Sequence, residues 1–310
     1  MKATHRVFCC AISLALICFA CGCSKSGHET APKAVSKESY DSMDQNKIES
    51  LAKQGDAEAQ FRFGLMFQNG LGVKQNYEEA LKWYRQAAEK GNLDAQNSIG
   101  MLYTNGLGVA RDKQEALKWF RPLVEKGVPA AQYNVGLMLY FGDGIPKDTK
   151  EALRLFRLSA AQGCPQAQSH LGVMYENGEG VSKDFQKAAE LYRQSADQGY
   201  ASAQLNIGSM YFYGKGVPKD YQEAIKWFRL AAEQGNAKAQ NNLGILYAQG
   251  VGVPKDYVQA YMWFNLAYSA GNEPVKANIS MIEPLMTAQQ IESARKLAKE
   301  WKPKLPQKKS

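Results

Sequence analysis

The chain has 310 residues, 45% hydrophobic and 22% charged, with a formal charge of +8 and a sequence pI near 9.0. This is globular composition, which excludes wholesale disorder and allows one or two ordinary domains. Lys2 and Arg6 fall in an N-terminal leader, and Lys302, Lys304, Lys308 and Lys309 crowd into the last stretch, "WKPKLPQKKS", so the body between them is too evenly charged for a nucleic-acid binder.

In the leader, Lys2 and Arg6 precede the apolar run "VFCCAISLALICFA" (Val7–Ala20). A membrane span needs about 20 apolar residues, whereas this length suits the core of a signal peptide. The run ends in "CFACGCSKS", where small residues meet cysteines. That junction resembles the lipobox of bacterial lipoproteins, in which the cysteine after the cut is lipidated. Cys23, after Ala20-Cys21-Gly22, is the first choice and Cys21, after Cys18-Phe19-Ala20, the alternative. Neither has the usual Leu third before the cut, and an ordinary secretory signal with incidental cysteines is the competing reading. The resemblance implies a signal peptide over 1–22 and an anchor in the outer membrane, facing the periplasm, because no Asp follows either cysteine. The body keeps only Cys164, so it can hold no internal disulfide. Residues 23–46 are polar without an apolar period and read as a flexible tether.

From there the chain matches itself at a register of 36 residues. "AQ" recurs at Gln60, Gln96, Gln132, Gln168, Gln204 and Gln240, and a lone glycine follows four residues later, at Gly64, Gly100, Gly136, Gly172, Gly208 and Gly244. A second glycine pair recurs as Gly70/Gly72 and its five counterparts. Six copies of one loop are poor candidates for six phosphate sites and good ones for a structural turn. Each copy splits into a helix A before the paired glycines and a helix B after them, B starting at a cap (Asn76, Asp112, Asp148, Asp184, Asp220, Asp256) and ending at a glycine such as Gly91. Glu79, Glu115, Glu151 and Glu223, three residues past their caps, make a capping-box pattern. The lone glycines, with Ala80 and its counterparts, mark close helix approach.

The repeats run at about 56–91, 92–127, 128–163, 164–199, 200–235 and 236–271. "IESLAKQG" (Ile48–Gly55) fits the end of a helix B and should cap the first repeat. After Gly271 the register lapses, and 272–302 forms a C-terminal cap whose last helix starts at Thr287, followed by a basic tail, 303–310.

The copies "AQLNIGSMYFYGKGVPKDYQEAIKWFRLAAEQGN" and "AQNSIGMLYTNGLGVARDKQEALKWF" resemble the Sel-1-like repeat, a relative of the tetratricopeptide repeat, over residues 47 to 302. The resemblance implies an all-α fold, an α/α solenoid winding as a right-handed superhelix of helix pairs, used mainly for protein–protein assembly and without a shared catalytic residue. Some disulfide-rich relatives have been proposed as β-lactamases, but they carry a cysteine pair in each repeat and this body has one cysteine in all. Its only histidine is His170, it has no HExxH, CxxC or GxSxG, and the SxxK at Ser293–Lys296 lacks SDN and KTG partners. The expectation is no enzyme, catalytic residue, metal, cofactor or small-molecule substrate.

If the recurring positions build the fold, function belongs where the copies differ. On helix A the varying positions share a face, which in related solenoids lines a concave groove. The candidates for partner contact are Phe61, Arg62, Tyr133, Asn134, Tyr140, Phe141, His170, Asn206, Phe212 and Tyr213, with Asn97, Glu176, Leu205, Asn241 and Asn242 on the same face. Aromatic rings beside Asn, Arg and His have the amphipathic character of peptide-binding surfaces. The leading expectation is a membrane-tethered scaffold binding a protein or peptide. The alternatives are assembly of an exopolysaccharide export machine and, least favoured, a cell-wall or β-lactam hydrolase.

Overall fold

A computed structural model describes residues 43–303. The assigned signal peptide, Cys21, Cys23, the tether up to residue 42 and the tail from residue 304 lie outside these residues. Two compact units divide them, the first ending at Gln162 and the second starting at Gly163.

The first unit holds α1 (Gln45–Lys53), α2 (Ala57–Asn69), α3 (Tyr77–Glu89), α4 (Leu93–Asn105), α5 (Lys113–Glu125), α6 (Pro129–Phe141) and α7 (Thr149–Ala161). The second holds α8 (Pro165–Asn177), α9 (Phe185–Asp197), α10 (Ala201–Tyr213), α11 (Tyr221–Glu233), α12 (Ala237–Gln249), α13 (Tyr257–Ser269), α14 (Val275–Ile282), a 3-10 turn (Glu283–Leu285) and α15 (Ala288–Glu300). In each unit, consecutive helices pack on one another as an α/α solenoid.

The loop between helices A and B is fixed by its own hydrogen bonds. Helix A ends on a left-handed glycine, φ 70° at Gly142 and 69° at Gly214, whose N–H returns to the last turn. The cap of helix B then donates its own N–H to helix A, Asp148 to the Leu139 carbonyl at 2.9 Å and Asp220 to the Tyr211 carbonyl at 3.0 Å. The cap side chain accepts from the first turn of helix B, as Asp148 Oδ1 does from Glu151 N at 2.9 Å. The second glycine has a different reason: a Cβ on Gly216 would collide with the Phe185 backbone at the start of α9.

The expected capping boxes close differently. Glu79, Glu115, Glu151 and Glu223 point forward to a cation one turn on, pairing with Lys82, Lys118, Arg154 and Lys226. Both arms of a box form at Thr287 and Gln290, which start α15.

The lone helix A glycine faces an aromatic ring at the heart of helix B. An added Cβ would lie 2.6 Å from Tyr84 at Gly64, 2.5 Å from Phe120 at Gly100 and 2.7 Å from Phe156 at Gly136. In the second unit it would lie 2.7 Å from Tyr192 at Gly172 and 2.8 Å from Phe228 at Gly208, with Phe264 beside Gly244. These six rings are at most 2% exposed. Only hydrogen leaves room for them, which explains why the position is glycine in all six repeats.

Five of the six "AQ" glutamines are buried, and Gln204 is a clamp between two B helices. Gln204 Nε2 donates to the Ala196 carbonyl at the end of the preceding helix B (3.3 Å), while its Oε1 accepts from Gln234 Nε2 of the following one (2.8 Å). Gln96 makes the first bond to Ala88 and Gln240 makes it to Ala232. Gln60 makes it to Ala52 at 3.2 Å, so α1 stands where a helix B would stand. That helix starts at Gln45 with Asp44 as its cap, two residues inside the stretch assigned to the tether.

The register also persists past Gly271, contrary to expectation. Asn278 falls one repeat after Asn242, and its Nδ2 bonds Asn241 Oδ1 at 2.8 Å, as Asn134 bonds Asn97 at 3.1 Å. Thus α14 is a shortened helix A, ended by a turn containing Pro284. In place of its helix B, α15 packs back on α13, with Ala294 buried and Trp301 edge-on to Trp263 at 6.5 Å.

Candidate protein-binding surface

The candidate residues sort by their height along helix A. Those in its first half are not solvent-facing. Phe61 is 7% exposed and packs against the Tyr84 ring at 5.7 Å, so it is a core residue and not a contact residue. Arg62 is half-buried in an ion pair with Glu58 at 2.8 Å, and Glu58 also accepts from Asn92. Tyr133 leans on the Phe156 ring at 5.8 Å, and Asn134 is bonded to Asn97. Phe61 and Tyr133 are covered by helix B of their own pair, and Glu58 and Asn134 are bonded to the adjacent pair, so none stands clear of the surface. Asn206 is also partly buried. Burial pushes the His170 imidazole down to about 4, so it is neutral at pH 7.

The last two residues of helix A behave differently and split into two chemical types. Where helix B contributes a core tyrosine, helix A supplies an acceptor: Tyr84 donates to Gln68 and Tyr192 to Glu176, each at 2.8 Å. Burial holds the Tyr84 hydroxyl well above the usual tyrosine range, and burial followed by the Glu176 charge does the same to Tyr192. Glu176 is therefore a core partner. Where helix B contributes a core phenylalanine, no acceptor is needed, and two of those sites carry aromatic pairs instead.

In the first unit that pair is Tyr140–Phe141, edge-on at 4.9 Å. Tyr140 is half-buried against Phe156 at 6.4 Å, with Lys147 Nζ 5.7 Å from its ring, whereas Phe141 is 59% exposed. In the second unit it is Phe212–Tyr213, also edge-on at 4.9 Å. Phe212 is half-buried against Tyr221 at 5.4 Å, and Tyr213 is 66% exposed. In each pair the first ring anchors the second at the loop edge, which favours side-chain order before any partner arrives.

Cations lie over the aromatic residues that open helix B in the second unit. Lys183 lies 4.8 Å from the Phe185 ring, Lys219 4.7 Å from Tyr221 and Lys255 4.7 Å from Tyr257. The signal was present as the recurring Lys-Asp-aromatic triplets "KDF", "KDY" and "KDY", of which only the Asp was read. Among the described residues no three His, Cys, Asp or Glu gather as a metal site, and no helix is long and apolar enough to cross a membrane. Cys164 is buried, its thiol facing Gln166 Oε1 at 3.3 Å.

Comparison with known proteins follows the same register. The Sel1 repeat model matches residues 57–92, 93–128, 129–164, 165–200, 201–236 and 237–272. The crystal structure of a Sel1 repeat protein from Oxalobacter formigenes is similar at 33% identity and a TM-score of 0.65, covering 73% of this chain and 98% of that one. A protective antigen of uropathogenic Escherichia coli, described as displaying an SLR fold, shares 30% identity over 83% of this chain and 70% of its own, with a TM-score of 0.39. An immunity protein from Pseudomonas aeruginosa shares the fold at 21% identity, covering 70% of this chain and 82% of that one with a TM-score of 0.52. No curated protein sequence matches the chain significantly. The repeat model, the glycine–aromatic packing and the glutamine clamps coincide along the chain, which belongs to the Sel1 repeat family.

Proposed function

We propose that this protein is a non-enzymatic scaffold that holds a protein or peptide partner against the aromatic ends of its A helices, tethered to the cell envelope through a lipid on Cys23 or, alternatively, Cys21. Sel1 repeat proteins mediate protein–protein interaction and are typically non-catalytic scaffolds. The observation that carries the reading is the pairing of a half-buried ring with an exposed one at the ends of α6 and α10. At the matching ends of α2, α4, α8 and α12 stand Gln68-Asn69, Thr104-Asn105, Glu176-Asn177 and Ala248-Gln249. Exposed rings held by a neighbour supply contact area at little cost in side-chain entropy.

The test is capture of envelope partners by crosslinking and mass spectrometry, comparing the intact protein with Phe141→Ala/Tyr213→Ala. The double variant should melt as the wild type does and lose the captured partner; full retention contradicts the reading. Tyr140→Ala/Phe212→Ala is less discriminating, since both rings lean on core or near-core aromatics. The anchor is tested separately: incorporation of labelled palmitate should disappear in Cys23→Ser, or in Cys21→Ser if the alternative cut is used, and incorporation that survives both refutes lipidation here.

A further inference from the structure

The ring pair of the second unit, with Tyr213 exposed, stands among cations that make no ion pair with a described residue. Lys183, Lys215 and Lys219 are exposed, and Lys215 Nζ lies 5.6 Å from both the Phe185 and Tyr213 rings. Ion pairs among the described residues of this unit use Lys187, Lys226 and Arg295 and none of these three. The nearby acids are already engaged: Asp184 and Asp220 accept from first-turn N–H groups of α9 and α11, and Glu179 accepts from Asn177. The third repeat shows the contrast, because its residue at the Lys215 position is Asp143, which neutralises Lys113 and Arg111. In the fifth repeat the same place adds a positive charge.

We propose that this corner of the second unit binds an acidic segment of a protein partner carrying an aromatic side chain, the lysines taking its carboxylates and Phe212–Tyr213 its ring. This deepens the scaffold reading and rests on it. The lysines are held near ring faces, which sets their ammonium groups beside Phe212–Tyr213 as a complementary charge for an incoming carboxylate. A long polyanion fits less well, because an Asp follows both Lys183 and Lys219 and interrupts the continuous basic track such a ligand follows.

The test is fluorescence anisotropy on the full chain with three labelled pentapeptides, Glu-Glu-Phe-Glu-Glu, Lys-Lys-Phe-Lys-Lys and Glu-Glu-Gly-Glu-Glu, and an oligogalacturonate. The first should bind about tenfold more tightly than the others and weaken with salt. Lys183→Gln/Lys215→Gln/Lys219→Gln should weaken it about tenfold at an unchanged melt, and Tyr213→Ala should bring it down to the glycine peptide. Equal binding of acidic and basic peptides, unchanged affinity in the triple variant, or tighter binding of the oligogalacturonate overturns the proposal. A photo-crosslinker at Phe141, in the other unit, reads the scaffold independently: a protein adduct there alongside any of those three results overturns the acidic assignment and leaves the scaffold standing.

Discussion

The packing of Gly136 against Phe156 gives a quantitative test of why the repeat keeps a glycine inside helix A. In Gly136→Ala the new methyl would lie 2.7 Å from Phe156 Cε1 and 2.9 Å from Cδ1. Carbon contacts are comfortable from about 3.5 Å, so the ring must retreat by roughly 0.8 Å. It has little room, being fully buried and itself covered by Tyr133 and Tyr140. Overpacking of this kind costs about 1–3 kcal/mol, while replacing a mid-helix glycine by alanine returns about 1 kcal/mol. The single variant should therefore fall between neutral and about 2 kcal/mol less stable, a loss of about 2–4 °C in Tm per kcal/mol. Because these effects oppose each other, the decisive assay is a double-mutant cycle with Phe156→Leu, read by urea denaturation. Leucine removes the ring atoms nearest the new methyl, so in that background Gly136→Ala should stabilise by about 1 kcal/mol, a coupling of about 1–3 kcal/mol. The same change in stability in both backgrounds would refute the packing argument. Gly136→Leu, with three further carbons, should lower Tm clearly in the wild-type background.

Three further outcomes follow from the buried polar groups. Gln204→Ala breaks both bonds of its clamp, while the Ala196 carbonyl keeps the Gly199 N–H and Gln234 keeps the Gly199 carbonyl, so the two lost bonds should lower stability by about 1–3 kcal/mol in a denaturation curve. For His170 the folded value of about 4 lies below the ordinary value, so the unfolded chain takes the proton first as pH drops. Stability is then lost between about pH 6.5 and 4, by about 3 kcal/mol at most, and His170→Asn, the residue found at Asn134, Asn206 and Asn242, should remove that slope; parallel wild-type and variant curves would count against it. Tyr84 and Tyr192 shift the opposite way: their folded values are raised, so the unfolded chain loses the proton first and stability declines as pH rises past about 10. Tyr84→Phe/Tyr192→Phe should flatten that alkaline decline in a pH series of melts.

The repeat was legible in the sequence because one physical problem is solved six times in the same way. Gly136 facing Phe156, Asp220 closing its loop and the Gln204 bond to the preceding helix B, made again by Gln60, Gln96 and Gln240, all recur, so their spacing betrays them. Helix A entry was not legible: Val128, Cys164 and Tyr200 hold the cap position without a side-chain bond, while Asp56, Asn92 and Asn236 make one. In the third and fourth repeats a proline at the first helical position fixes the backbone instead. The seventh helix A was hidden because Ser280 replaces the lone glycine and no helix B follows it. Within the candidate surface, variability could mark positions outside the shared framework but not tell solvent from a neighbouring helix. Phe61 and Phe212 both vary between copies, yet the first is core and the second supports an exposed ring. The difference is height along the helix, since the lower positions are covered by helix B of their own pair or bonded to the adjacent pair and the last two reach the loop edge.

The central claim is that a protein partner rests on the aromatic loop edge. Site-specific photo-crosslinking in living cells tests it most directly, with benzoylphenylalanine placed singly at Phe141, Tyr213 and two exposed controls on B helices, Lys118 and Lys226. The account predicts a discrete protein adduct from Phe141 and Tyr213 and none from the controls. Adducts of equal yield at all four positions, or none at Phe141 and Tyr213, would contradict it.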